Sequence, residues 1–149
     1  MAWHIDEEFI KDDDGNVICV ILPNVASFHV TIIKKIPKLF GLMVEFVGFY
    51  EDKRIISKKL YDNLLNLIEI EKDYNFKWHI DSKGDIADEE NNKICFFLEK
   101  NTHDAIVIQF APEIFKIAKE IVKNFNNRRA IQQPTYKNWL LIMDAIDEY

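Results

Sequence analysis

The chain has 149 residues, 48% of them hydrophobic and 30% charged, and a formal charge of −6. That length and balance suit one ordinary domain or two very small ones, and exclude a disordered or fibrous chain. The acidic charge argues against direct nucleic-acid binding, which calls for a basic face, and leaves open a partner that is itself basic.

The first residues, Met1-Ala2-Trp3-His4-Ile5-Asp6, have neither the basic start nor the apolar run of a signal peptide. No stretch approaches the roughly 18 consecutive apolar residues of a membrane span. The expected setting is therefore the cytoplasm, with no membrane partner. Cys19 and Cys95 are then expected as buried thiols, with a disulfide between them as the alternative.

Trp3-His4-Ile5-Asp6 alternates apolar and polar residues, as a half-buried strand does. A hairpin follows, turning at Asp14-Gly15, where positive φ is tolerated. The returning run Val17–Leu22 is apolar on both faces and reads as a central, covered strand. Next comes a short helix over Ser27–Ile36. Pro37 then suits the first position of a new helix, because its missing N–H costs nothing there. That helix is expected to reach Tyr50. A last helix over Lys58–Lys72 carries Leu60, Leu64, Leu67 and Ile68 at helical spacing.

The same series then repeats. Trp78-His79-Ile80-Asp81 lies 75 positions after its first copy. With one extra residue in the second copy, Ile10, Asp12, Asn16, Ile18, Cys19 and Leu22 fall on Ile86, Asp88, Asn92, Ile94, Cys95 and Leu98. The offset then returns to 75, pairing Pro37 with Pro112, Phe40 with Phe115, Tyr61 with Tyr136 and Tyr74 with Tyr149, among others. One register held across a whole chain indicates tandem duplication. The expected fold is α+β: two β-β-β-α-α repeats, 1–74 and 75–149, related by a pseudo-two-fold axis and packed as one compact body. A single 75-residue unit has a marginal core and would need such a partner.

The second copy also resembles a group of small phage and prophage proteins. Their pattern is a Trp, then Ile-x-Asp with a polar turn, a strand, and a helix reading A-x-L-I-A-x-A-P-E-L-L. The positions that match are Trp78, Ile86, Asp88, Asn92, Ala105, Ile108, Ala111, Pro112, Glu113 and Ile114. Gln109 and Phe110 depart from it, and the first copy departs further at Lys34-Lys35-Ile36-Pro37-Lys38-Leu39. The resemblance implies a viral or prophage origin and a single-copy ancestor; the pattern contains no catalytic residue.

Chemical motifs are few. His4 and Asp6, two apart on a strand, project side by side, so a meeting of the two strands would bring His4, Asp6, His79 and Asp81 together. That spacing is poorer than true zinc patterns, and the expectation is Trp and Ile in the core, His and Asp at the surface, and no metal. Asp12–Gly15 lacks the alternating acids and distal glutamate of a calcium loop and reads as a solvated turn. No phosphate loop, nucleophile elbow or HExxH motif occurs, so no catalytic residue, cofactor or enzymatic activity is expected.

The copies differ most on the helix that follows the proline. The second carries Lys116, Lys119 and Lys123 on one solvated face, where the first has Gly41, Val44 and Gly48. Helix 38–50 is thus apolar nearly all round, and its two glycines invite close approach of another backbone. Packing inside the chain and an intermolecular surface are both open readings. The second would use Gly41, Val44 and Gly48, with Phe49 and Tyr50 as anchors.

The leading functional reading is a non-enzymatic phage-derived interaction protein. It would occlude a bacterial host protein of the anti-defence kind, such as a nucleic-acid-binding CRISPR effector complex. A homo-oligomer is also open. The alternative is a small-molecule binder or sponge for nucleotide signals. In it, Trp3, His4 and Arg54, and equivalently Trp78, His79 and Arg129, would line two pockets. A metal-dependent enzyme ranks third.

Overall fold

In the computed structural model, the described residues are 2–52, 55–100, 102–128 and 131–148. They form an α+β fold: a six-stranded antiparallel sheet and five helices. In chain order these are β1 (His4–Asp6), β2 (Phe9–Lys11), β3 (Val17–Ile21), α1 (Ser27–Asp52) and α2 (Lys58–Leu67). Then follow β4 (Trp78–Ile80), β5 (Ile86–Asp88), β6 (Lys93–Phe96), α3 (His103–Gln109), α4 (Ala111–Arg128) and α5 (Gln133–Asp147).

The strand order is β1-β2-β3-β6-β5-β4, so the first three strands meet the last three at a central β3–β6 seam. There Val20 stands opposite Phe96 and Ile21 opposite Cys95. The second hairpins of the two halves close in the same way. Asp12 N–H donates to the Asn16 carbonyl at 3.0 Å, and Asp88 N–H to the Asn92 carbonyl at 2.9 Å. In each, the Asp carboxylate accepts the N–H groups two and four residues on, at 2.8–2.9 Å. The left-handed position is taken by Gly15 (φ 85°) in one and Asn91 (φ 66°) in the other. These turns therefore have three-residue loops with a single left-handed residue, not the tight Asp14-Gly15 turn the sequence suggests.

The extra residue of the second half lies in its first hairpin. Glu7 and Glu8 alone link the paired Asp6 and Phe9, with Glu7 at φ 55°. In the second half Asp81 N–H donates to the Asp85 carbonyl at 2.8 Å across Ser82-Lys83-Gly84, with Gly84 at φ 83°. The corresponding hairpins thus turn with a two-residue loop in one half and a three-residue loop in the other, both common hairpin lengths.

Ile10 pairs with Cys19, and Ile86 with Cys95, so these four share one face of the sheet. All four are fully buried, and that face joins side chains from every helix in one core. On α1 the buried stripe is Ile32, Ile33, Ile36, Leu39, Met43 and Phe46. It runs straight through Pro37, correcting the expected boundary: α1 is one 26-residue helix with the proline inside it. An interior proline costs about 3 kcal/mol. Six buried apolar side chains at roughly 1.5–3 kcal/mol each outweigh that, so packing keeps the helix in line. In the second half the chain does pause, for one residue at Phe110 (φ −88°, ψ 2°), and α4 begins just before Pro112. Helix α2 is capped by Ser57, whose hydroxyl accepts the Leu60 N–H at 3.1 Å, and stops at Leu67, short of the expected Lys72.

Beyond α2 the chain crosses toward β4 through Tyr74, which is 3% exposed, stacks on Phe115 and accepts the Glu69 N–H through its hydroxyl. Helix packing interleaves the halves. Tyr61 of α2 stacks on Phe125 of α4 at 3.8 Å between centroids, and Tyr136 of α5 stacks on Tyr50 of α1 at 3.6 Å.

Candidate functional site

Two regions are chemically distinctive: the outer face of α1, and a cleft where the first turn of α1 meets β4. Buried positions on α1 recur every three to four residues and leave the opposite face open. Gly41, Val44 and Gly48 all lie on that open face, and Val44 is 44% exposed. A Cβ built on either glycine would meet nothing within 4 Å. No neighbour among the described residues therefore requires a glycine at these positions, although each costs about 1 kcal/mol of helix stability relative to alanine. Phe49 is partly buried against the core and Tyr50 is held by its stack on Tyr136, so both anchor residues are engaged within the chain. The corresponding face of α4 is covered in part: Lys119 reaches the Lys72 carbonyl, and its ammonium lies 5.9 Å from the Tyr74 ring centroid.

The two Trp-His-Ile-Asp segments do not meet. β1 and β4 are opposite edges of the sheet, five strand spacings or about 24 Å apart. His4, Asp6, His79 and Asp81 therefore cannot close on one ion. Among the described residues no group of three His, Cys, Asp or Glu side chains is placed to hold a metal. Trp3 and Trp78 are buried at 6% and 4% exposure, whereas His4 is exposed and His79 half-buried. Strand alternation turns each His away from the face that carries its neighbouring Trp, so the pair does not line a common pocket. Ile5 is not in the core but 42% exposed on the edge strand. Asp6 instead pairs with Lys11 at 2.8 Å, which holds its carboxyl below the usual range. Arg54 and Arg129 lie outside the described residues.

The cleft gathers residues that spacing in the sequence does not connect. His29, the third residue of α1, comes over β4 and β5, where Phe76, Lys77, Trp78, Asp88, Glu89 and Glu90 complete the lining. Trp78 pairs with Asp88 across β4–β5, which sets both on the helix side of the sheet. The His29 ring stands 5.0 Å from Phe76 and 5.5 Å from Trp78, edge-on to the indole. Burial pushes the His29 pKa below 6.5, against the opposing pull of Asp88, so the ring is neutral at physiological pH. The Asp88 oxygens are held by its own turn, and Glu89 accepts the Lys77 N–H at 2.9 Å. The indole N–H of Trp78 is buried and has no hydrogen-bond partner among the described residues, as is also true of Trp139 in the core.

Sequence reasoning singled out Trp78 but missed His29 and Asp88 as its neighbours. A usable signal existed: position 29 is His where position 104 of the second half is Asp, a difference beside an otherwise repeated framework. In the second half, burial raises the Asp104 carboxyl above its usual range against the opposing pull of His103, and Asp12 adds a smaller push upward. The two ends of the sheet thus carry unlike chemistry, His29 facing Asp88 in one and Asp104 facing Asp12 in the other.

Cys19 and Cys95 are free, buried thiols on adjacent central strands. Their mutual hydrogen bond, together with burial, holds Cys95 well above the usual thiol range, which is the setting of an inert cysteine. No helix among the described residues is long and apolar enough to cross a membrane. No protein-family model, curated protein sequence or solved structure matches this chain.

Proposed function

We propose that this chain is a non-enzymatic interaction protein of phage origin that occludes a bacterial host protein through the open face of α1. The observation that carries the reading is the pair of helical glycines, Gly41 and Gly48, with empty space where a Cβ would stand and Val44 between them. Glycine inside a helix is unfavourable unless another backbone must come close, and among the described residues none does. A partner helix or strand laid along Gly41, Val44 and Gly48 supplies the missing reason. In this reading the partner belongs to host defence machinery of the CRISPR-effector kind. The phage resemblance of the second half and the acidic charge support that assignment.

The architecture we infer beneath this surface is a tandem duplication with a pseudo-two-fold axis through the β3–β6 seam. The palindromic strand order supports it, as do the matched Asp12 and Asp88 turns and the reciprocal stacks Tyr61–Phe125 and Tyr50–Tyr136. Duplication freed one copy of the helix face to diverge from the other.

The test uses Val44→Glu and Gly48→Glu in the full chain. Each variant is compared with wild type for capture of host proteins from bacterial lysate and for its unfolding midpoint. The expected result is loss of one specific captured protein with the midpoint retained, because neither position packs inside the chain. Unfolded variants, or unchanged capture, would overturn the proposal.

A further inference from the structure

We propose that the cleft between the first turn of α1 and strand β4 binds an extended, Lys- or Arg-bearing segment of a partner protein. The site stands apart from the glycine face: His29 and Val44 are separated along α1 by about 22 Å. Three features of the lining define the ligand. The first is charge, since Asp88, Glu89 and Glu90 oppose a single ammonium, Lys77. That balance repels phosphates and free carboxylates and attracts a cation. The second is the pair of rings, Phe76 and Trp78, with a neutral His29 between them. Aromatic faces accept a guanidinium or ammonium group and the methylene stem behind it.

The third feature is the indole N–H of Trp78, one of two buried indole donors without an acceptor among the described residues; the other, on Trp139, lies away from this lining. Leaving such a group unmet is unfavourable, and a donor-only cation does nothing to relieve it. A peptide offers a carbonyl beside every basic side chain, so one residue can meet the indole and the acidic rim together. Because the indole nitrogen is closed off in the free chain, binding includes a shift of a neighbouring side chain. The segment does not extend the sheet. On β4 the Ile80 N–H is already taken by Gln109 at 3.1 Å, and just before the strand the Lys77 N–H is taken by Glu89 at 2.9 Å, so side chains do the recognising.

The chain has three tryptophans, Trp3, Trp78 and Trp139, so a nitrogen–proton correlation spectrum of the full protein offers three indole signals, assigned sequentially. The probes are a capped Ala-Arg-Ala-Arg-Ala peptide, its Glu-for-Arg counterpart, guanidinium chloride and adenosine monophosphate. The expected result is a saturable shift of the Trp78 indole signal with the Arg peptide alone, while the Trp3 and Trp139 signals stay in place. The double variant Glu89→Gln, Glu90→Gln should weaken that binding about fivefold, the scale of two exposed charge pairs, with all three indole signals at their wild-type positions. No shift with the Arg peptide overturns the proposal. An equal shift with the Glu peptide or the nucleotide also overturns it, as does saturation by guanidinium alone.

Discussion

Single residues in this protein have conspicuous local reasons, and the exceptions are as informative as the rule. Asp12 and Asp88 each hold a turn by accepting two backbone N–H groups, a role the repeat register makes visible in the sequence. Gly15 is required by its positive φ, whereas Gly41 and Gly48 are ordinary helical residues with room to spare. Gly41→Ala and Gly48→Ala should therefore each raise stability by about 1 kcal/mol, a rise of roughly 2–4 °C in melting temperature. A lowered midpoint would show that something in the folded chain already needs the glycine. His29 makes a pH-dependent contribution with a definite sign. Burial lowers its pKa in the fold, so below pH 6.5 the unfolded chain takes up a proton that the folded chain resists. The contribution is present above about pH 6.5 and is lost as the pH falls toward the folded-state value. Urea midpoints measured at pH 7.5 and 5.5 should fall less for His29→Gln than for wild type.

At the level of elements, strands and helices were legible where their reasons are local. Alternation marks Trp3–Asp6, an unbroken apolar run marks β3, and Leu60 and Leu64 mark α2. Pro37 misleads because a proline after a helical stretch normally announces a boundary, and only the buried stripe on both sides of it shows otherwise. Periodicity in the sequence contains that stripe; its burial depends on α4, which arrives from the other half. If packing alone keeps α1 whole, Pro37→Ala restores the missing N–H and should stabilise the protein by up to about 3 kcal/mol. A denaturant titration checks this, and no gain would mean that the proline ring itself is used in packing. The cleft at Trp78 was not legible in the same way, because its members come from α1, β4 and β5 and share no spacing. Strand order decided that outcome, together with the fact that β1 and β4 lie at opposite edges.

For the whole molecule, the decisive fact is that neither half closes its own core. Tyr61 needs Phe125, Tyr136 needs Tyr50, and Phe28, Tyr74 and Phe115 form one aromatic group across the helices. Residues 1–74 and 75–149 expressed separately should each remain largely unfolded, and mixing them should restore cooperative unfolding and dispersed spectra. Independent folding of either half would refute the view that the core is shared. Such interleaving also explains why the repeat was readable and its consequences were not. Identical residues mark two like stretches of sequence, while the stacks that join them, Tyr61 on Phe125 and Tyr50 on Tyr136, fall between positions that do not align with each other, and only the seam joins equivalent positions such as Val20 and Phe96.

The β3–β6 seam has a kinetic side. Within each half the strands are joined by loops of two or three residues, contacts that close in microseconds. Val20 and Phe96 are brought together only by closing a loop of some 75 residues, at an entropic cost that grows with the logarithm of its length. The hairpins are therefore expected to form before the seam, which closes once the helices gather the two ends. Until it closes, β3 and β6 each present an apolar edge to the cell, and premature pairing between chains is the hazard this topology must outrun.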